Sequence, residues 1–193
     1  MFAYDLGDGA ELRLMEPRYA AEFLAVALEN RDFFGQWLTW AYRINTLEDA
    51  RDFLQEDIDQ FADCGLSGIG IWQDKTLVGG IFFFPIERMI QATKIAYWLA
   101  ESANGRGLMT RAIRPIIDHV FEDLKLNRVG LEAEPGNLKS KAVAERLGFT
   151  FEGVRRDGWR TPEGFVDIAV YSMLASDWSD IVQKGGSLWK EMN

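Results

Sequence analysis

Asn104-Gly-Arg-Gly-Leu-Met-Thr110 stands where a run of strand character, Ala92 to Leu99, gives way to a long helical stretch, and the fold turns on how this junction is read. Gly105 and Gly107 carry no Cβ, so successive amides can turn inward toward an anion and a ligand can touch the backbone. A helix opening here adds roughly +0.5 of a charge from its macrodipole at its N-terminus. Arg106 and the Thr110 hydroxyl offer side-chain donors, and the amides of Leu108 and Met109 complete the cradle. Two glycines ahead of a helix equally mark a tight strand-to-helix turn, so the loop must be weighed with its neighbours. Two nucleotide-binding patterns fail on the residues themselves. A P-loop requires a lysine directly after its last glycine, and none follows Gly107; a dinucleotide fingerprint requires a third glycine where Thr110 stands.

Upstream, Ala10 to Met15 alternates as a strand, and Pro17 opens a helical stretch in which Tyr19, Phe23, Val26 and Ala27 recur at helical spacing. Thr46-Leu-Glu-Asp49 predicts a capped helix running to about Ala62, striped by Ala50, Phe53, Leu54, Asp57, Ile58 and Phe61 and ended by Gly65. From Ser67 the period becomes that of strands: Ser67 to Trp72, a turn at Gln73 to Lys75, Leu77 to Phe84, then Ala92 to Leu99. Gly105 to Leu124 reads as the longest helix, with Met109, Ile113, Ile116, Ile117, Val120, Phe121 and Leu124 on its buried face. Arg128 to Ala133 is a strand, Leu138 to Leu147 a helix ended by Gly148, and Phe149 to Gly158 with Phe165 to Leu174 a hairpin turning at Thr161 to Gly164. Meander, helix, strand, helix and hairpin indicate an α/β sheet that is only partly parallel.

The chain has 193 residues, 48% of them hydrophobic, which suits one compact domain over residues 1–180 followed by a loose tail over 181–193. It opens without a basic then apolar leader, and no stretch approaches the ~20 apolar residues of a membrane span, so a cytoplasmic protein with no membrane partner is expected. One cysteine, Cys64, and one histidine, His119, exclude an internal disulfide and a His/Cys metal cluster. A formal charge of -9 disfavours direct nucleic-acid binding and suits a cationic acceptor, although acidic surfaces also simply keep proteins soluble.

Downstream of the loop lie Asn127-Arg-Val129 and then Glu134-Pro-Gly-Asn-Leu-Lys-Ser-Lys-Ala-Val-Ala-Glu-Arg-Leu-Gly-Phe149. Here the sequence resembles the Gcn5-related N-acetyltransferase (GNAT) superfamily, and within it the RimJ/RimL-like branch that modifies ribosomal-protein N-termini. The family's pyrophosphate loop has the form Q/R-x-x-G-x-G/A, met by Asn104, Gly107 and Met109 with departures at the first and last. Its second signature, N-x-x-S before a short helix ending in G-F, is met by Asn137, Ser140, Gly148 and Phe149. The resemblance implies a mixed, mostly antiparallel central sheet flanked by helices, with splayed fourth and fifth strands, and no metal. It implies that acetyl-CoA lies along Ala96 to Glu101, contacting Trp98 and Leu99 through the main chain, with a main-chain N–H near Leu99 as oxyanion donor. The amides of Gly105 to Thr110 would hold the pyrophosphate, Asn137 would meet the pantetheine arm, and Ser140 would stabilise the departing sulfur.

The implied reaction is direct transfer of an acetyl group to a primary amine, a protein N-terminus or a small amine. Glu132 and Glu134, with Glu101 and Asp157, are the candidate bases. Some ribosomal-type relatives place an acidic base after the glycine-phenylalanine signature; here Trp159 appears at that position. That departure leaves open a noncatalytic acyl-CoA sensor with the same fold. Phe33, Phe34, Trp37 and Trp159 either line the acceptor groove, pack a second subunit of a homodimer, or belong to the core.

Overall fold

The computed structural model describes residues 3–64 and 68–189. They form two compact units, Met1–Pro85 with Ile95–Ile113, and Ile86–Lys94 with Arg114–Asn193. The first unit contains β1 (Ala3–Gly7), β2 (Ala10–Leu14), α1 (Ala20–Glu29), α2 (Arg31–Gly35), α3 (Leu47–Cys64), β3 (Ile69–Gln73) and β4 (Thr76–Phe83). Strand β5 (Ala92–Leu99) begins in the second unit and ends in the first, and α4 (Leu108–Asp118) passes back. The strands of the first unit pair in the order β1-β2-β3-β4-β5, every pairing antiparallel. This is the meander legible in the sequence, extended by the short and largely exposed β1.

Helix α3 starts as Thr46-Leu-Glu-Asp49 predicts. The Thr46 hydroxyl accepts from the Asp49 N–H at 3.1 Å, and Asp49 Oδ2 accepts from the Asn45 and Thr46 amides at 2.9 and 2.8 Å. Those amide bonds hold the Asp49 carboxyl below its usual range. Ala50 and Leu54 are fully buried and Phe53 packs against them; the Phe61 side chain and the predicted stop at Gly65 lie outside the described residues.

The core of this unit is aromatic. Phe23 stacks on Phe53 at 5.3 Å between ring centroids, and Trp98 meets Phe23, Phe34 and Trp40 at 5.5 to 5.9 Å. A Cβ on Gly80, opposite Trp98 across the β4–β5 ladder, would lie 2.6 Å from the indole Nε1, so the indole can lie on the sheet only over a bare backbone. Phe34 is 2% exposed. That overturns its assignment as an acceptor-lining residue, since its ring is spent on core packing.

Two boundaries differ from expectation. Residues 105–107 form a turn, and α4 starts at Leu108 rather than Gly105, so the longest helix is α3. Pro115 removes an amide from the interior of α4, and past Asp118 the helix widens into a π turn at His119–Asp123, where His119 Nδ1 meets Asp123 Oδ2 at 2.7 Å on the surface.

The second unit holds β6 (Arg128–Ala133), α5 (Leu138–Leu147), β7 (Thr150–Thr161), β8 (Gly164–Leu174) and α6 (Ala175–Trp189), with strands paired antiparallel in the order β6-β8-β7. Helix α6 continues through residue 180, where the sequence suggests a loose tail, and is pinned by buried Trp178, whose Nε1 donates to Asp118 Oδ1 at 2.7 Å. Arg128 grips Glu152 with two bonds, at 2.7 and 2.5 Å, and the Ser172 hydroxyl donates to the same carboxylate at 2.8 Å. Arg128, then Ser172, depress the Glu152 carboxyl to about 2. Among the described residues no helix is long and apolar enough to cross a membrane.

Phe34→Ala is expected to destabilise the protein by about 3 to 5 kcal/mol, read as a lower urea midpoint at unchanged slope. Because the folded-state pKa of Glu152 lies below its ordinary value of 4.5, its stabilisation is complete above that value and is lost as pH falls through about 2. Melting temperature between pH 5 and 2 should therefore fall more steeply for the wild type than for Glu152→Gln.

Candidate active site

In the first unit the chain leaves β5 at Leu99, makes a 3-10 turn over Glu101–Ala103 and reaches α4 through Asn104 to Gly107. Gly105 and Gly107 have φ of +82° and +73°, conformations that residues with a Cβ rarely adopt, and no atom lies within 4 Å of where either Cβ would sit. The backbone there is bare and faces open space. The Arg111 N–H donates to the Gly107 carbonyl at 3.0 Å, whereas the amides of Leu108, Met109 and Thr110, in the first turn, have no carbonyl one turn before them in the helix. The Thr110 hydroxyl oxygen is buried and, among the described residues, has no hydrogen-bond partner. Open space at the glycines and first-turn amides with no helical carbonyl before them suit a pyrophosphate group.

The named residues contribute to this half unequally. Leu108 and Met109 are 4% and 5% exposed, so their side chains belong to the core and only their amides face the loop. Arg106 is exposed on the turn. The Trp98 side chain is core, leaving its main chain alone as a ligand contact. Asn104 departs from expectation: its Nδ2 donates to the carbonyls of Leu99 and Ala100 at 3.3 and 2.8 Å, and its amide donates to the Glu101 carbonyl at 3.2 Å. Its donors shape the loop and are not offered to a phosphate. The Glu101 N–H donates to Asn30 Oδ1 at 2.9 Å, a partner 71 residues away in sequence that no local pattern reveals.

In the second unit Asn137 caps α5, its Oδ1 accepting from the Ser140 N–H at 3.1 Å. The N-x-x-S spacing therefore has a structural cause, and it sets Ser140 in the helix's first turn. Glu132, on β6 opposite Val170, binds Arg155 at 2.8 and 3.2 Å and Lys94 Nζ at 3.3 Å. The Lys94 stem crosses Gly130, where a Cβ would come within 2.8 Å of its Cγ. Burial pushes the Glu132 carboxyl up, but the Arg155 hydrogen bonds and the Lys94 charge outweigh it and hold the group below its ordinary range. A carboxylate held by two cations is a weak proton acceptor, so this geometry counts against Glu132 as base. Two residues on, Glu134 is raised, by burial first and by the charge of Glu163 second. The Asp157 amide donates to Asp167 Oδ1 at 3.0 Å, within the bulged stretch of β7 between Arg155 and Trp159.

Of the aromatic candidates, Phe33 packs against the first unit's core and Trp37 is half-buried, while Trp159 is 46% exposed on β7 opposite Val166. Lys94 and Arg155 escaped the sequence reading because a cation's partner across a sheet depends on register, not on spacing. No group of His, Cys, Asp and Glu able to hold a metal ion occurs among the described residues.

Residues 10–150 match the family model described as an acetyltransferase (GNAT) domain. YdaF of Bacillus subtilis (strain 168), a provisionally named ribosomal N-acetyltransferase, is 34% identical over 179 residues, covering 92% of this chain and 98% of its own. A crystal structure described as a probable acetyltransferase superposes with a TM-score of 0.85 at 33% identity, over 92% of this chain and 99% of the other. The microcin C7 self-immunity acetyltransferase MccE, solved with acetyl-CoA and AMP, superposes with a TM-score of 0.82 at 25% identity, over 88% and 94%. The glycine-lined helix start and the capped N-x-x-S helix thus occur in a chain that belongs to the GNAT acetyltransferase family.

Proposed function

We propose that this enzyme transfers the acetyl group of acetyl-CoA to a primary amine, and that the acceptor is the α-amine of a ribosomal-protein N-terminus in the cytoplasm. The observation that carries the cofactor half is the start of α4, where open glycine backbone precedes first-turn amides that have no carbonyl one turn before them. The likeness to YdaF over nearly the whole chain supports the acceptor half. MccE's complex with acetyl-CoA supports the choice of donor.

When bound, acetyl-CoA supplies a thioester carbonyl and a thiolate leaving group of moderate basicity. The amides of Gly105 to Thr110 bind the pyrophosphate, with Arg106 adding charge from the surface. A main-chain N–H near Leu99 stabilises the developing oxyanion, a contribution of ~3 to 4 kcal/mol where such a donor has been removed. A thiol of pKa ~8.5 leaves readily as thiolate, so the Ser140 hydroxyl needs only to hydrogen-bond the sulfur.

The acceptor must lose a proton, and its class decides how much help it needs. An α-amine of pKa ~7.8 costs about 1 kcal/mol to deprotonate at pH 7, against about 4.6 for a lysine at ~10.4. A modest base is therefore enough for a protein N-terminus, and Glu134, raised by burial and by Glu163, fits that task better than the doubly paired Glu132. In the second unit the exposed indole of Trp159 offers a flat surface to a peptide acceptor.

Free-thiol release from acetyl-CoA with a panel of N-terminal ribosomal peptides, polyamines and aminoglycosides tests the reading. Turnover with the peptides is expected. Binding of acetyl-CoA without turnover on any acceptor would instead make the chain a sensor. Gly107→Glu, which sets a carboxylate and a Cβ into the cradle, is expected to abolish CoA binding with the far-ultraviolet spectrum unchanged; unaltered affinity sinks the loop assignment.

Glu134→Gln should lower kcat about 10- to 100-fold, with little change in CoA affinity, and remove the acid limb of the kcat/KM profile. That limb in the wild type should have its midpoint above 4.5, in keeping with the upward shift of Glu134. Retention of the limb in the variant would assign proton transfer elsewhere.

A further inference from the structure

The turn that presents the cofactor loop is held by a side chain from outside it. Asn30 lies between α1 and α2 and is 8% exposed, with all its polar groups engaged. Its N–H donates to the Val26 carbonyl at 3.1 Å and its own carbonyl accepts from the Phe34 N–H at 2.8 Å, which ends α1 and begins α2. Its Nδ2 donates to the Val26 carbonyl at 2.9 Å, and its Oδ1 accepts from the Glu101 N–H at 2.9 Å. Glu101 opens the 3-10 turn, and its carbonyl accepts from the Asn104 N–H, while Asn104 Nδ2 folds back onto the carbonyls of Leu99 and Ala100. Ala100 is tied to β4 by its N–H, which donates to the Val78 carbonyl at 2.7 Å.

Residues 99–104 are therefore held from three sides, by β4 at Ala100, by Asn104 within the loop and by Asn30 from the α1–α2 junction, and Asn30 alone holds the Glu101 N–H. Gly105 and Gly107, which follow, have no side chain to fix them and adopt left-handed conformations with space around them. On its far side the turn is fixed by α4, where the Arg111 N–H holds the Gly107 carbonyl, so on its near side the direction in which the amides of Gly105 and Arg106 point depends on Glu101 to Asn104. Ala100 and Ala103, on either side of the exposed Glu101 and Ser102, are 4% and 9% exposed, so the turn is anchored at both ends against the core.

We propose that Asn30 is a positioning residue for the cofactor: through the Glu101 N–H it fixes the turn that aims the amides of Gly105 and Arg106. The assignment rests on the acetyl-CoA reading above and adds to it a residue with no contact to the ligand. Asn30 works with two separable bonds, one to α1 and one to the loop, and this separates positioning from plain stability.

Asn30→Asp keeps an acceptor for the Glu101 N–H but turns the donor facing the Val26 carbonyl into a second acceptor, with negative charge at a helix C-terminus. Asn30→Ala loses both bonds. CoA dissociation constants from titration calorimetry and melting temperatures are measured on the full-length chain and both variants. The expected result is a CoA Kd raised about tenfold in Asn30→Ala, the scale of one orienting hydrogen bond, and kept within about twofold of wild type in Asn30→Asp although its melting temperature falls. Affinity that tracks melting temperature in both variants, an unchanged Kd in Asn30→Ala, or failure of either variant to fold would assign Asn30 to stability and overturn the proposal. A wild-type chain that binds no CoA overturns the cofactor reading itself, whereas wild-type binding with an unaffected Asn30→Ala overturns this inference alone.

Discussion

Backbone amides at the start of a helix have no carbonyl one turn earlier to receive them, and in α4 this shortfall falls on Leu108 to Thr110 directly after two glycines in left-handed conformations. Much of the first unit serves to keep that junction open and aimed. A capping side chain at this point would satisfy the amides and close the site; here the nearest candidate, Asn104, turns away and donates to the strand end instead. The meander supplies the strand end, the aromatic core holds it from beneath through Trp98, and Asn30 secures the turn between them. Unsatisfied donors are costly in a buried setting and tolerated where an anion can meet them.

Electrostatics in the second unit separate two carboxylates of the same strand end. Glu132 lies under Arg155 and Lys94, whose charges hold it ionised and make it part of the sheet's cross-strand bonding. Glu134, one pleat further, loses water without gaining a cation and feels Glu163 instead. Two residues of identical chemistry thus take opposite shifts, each set by the neighbours that the fold brings to it. The same logic accounts for Arg128, Glu152 and Ser172, a charge-assisted cluster that joins β6, β7 and β8 on the face shared with Glu132.

Local chemistry was legible wherever it repeats along the chain. Ala92 to Leu99, Arg128 to Ala133 and Leu138 to Leu147 have the bounds their periodicity predicts, because alternation and caps are short-range devices. The start of α4 was misplaced by three residues because a glycine pair is compatible with both a first helical turn and the turn before it. The aromatic run Phe33 to Trp40 had no sequence property that distinguished core from groove; burial of Phe34 and ring contacts of Trp40 decide that it is chiefly core.

By itself the sequence determined the order of elements from β3 to β8, the glycine-lined junction at Asn104 to Thr110 and the N-x-x-S helix start, each written in residues within a few positions of one another. Tertiary structure alone decided that Asn104 shapes the loop, that Asn30 holds it from 71 residues away, and that Glu132 is held by Arg155 and Lys94 whereas Glu134 is raised by burial and by Glu163. The physical reason is range. Caps, turns and periodicity act over one helical turn or one pleat, whereas hydrogen-bond partners, burial and pKa depend on which distant segments the sheet register and the core bring against a side chain.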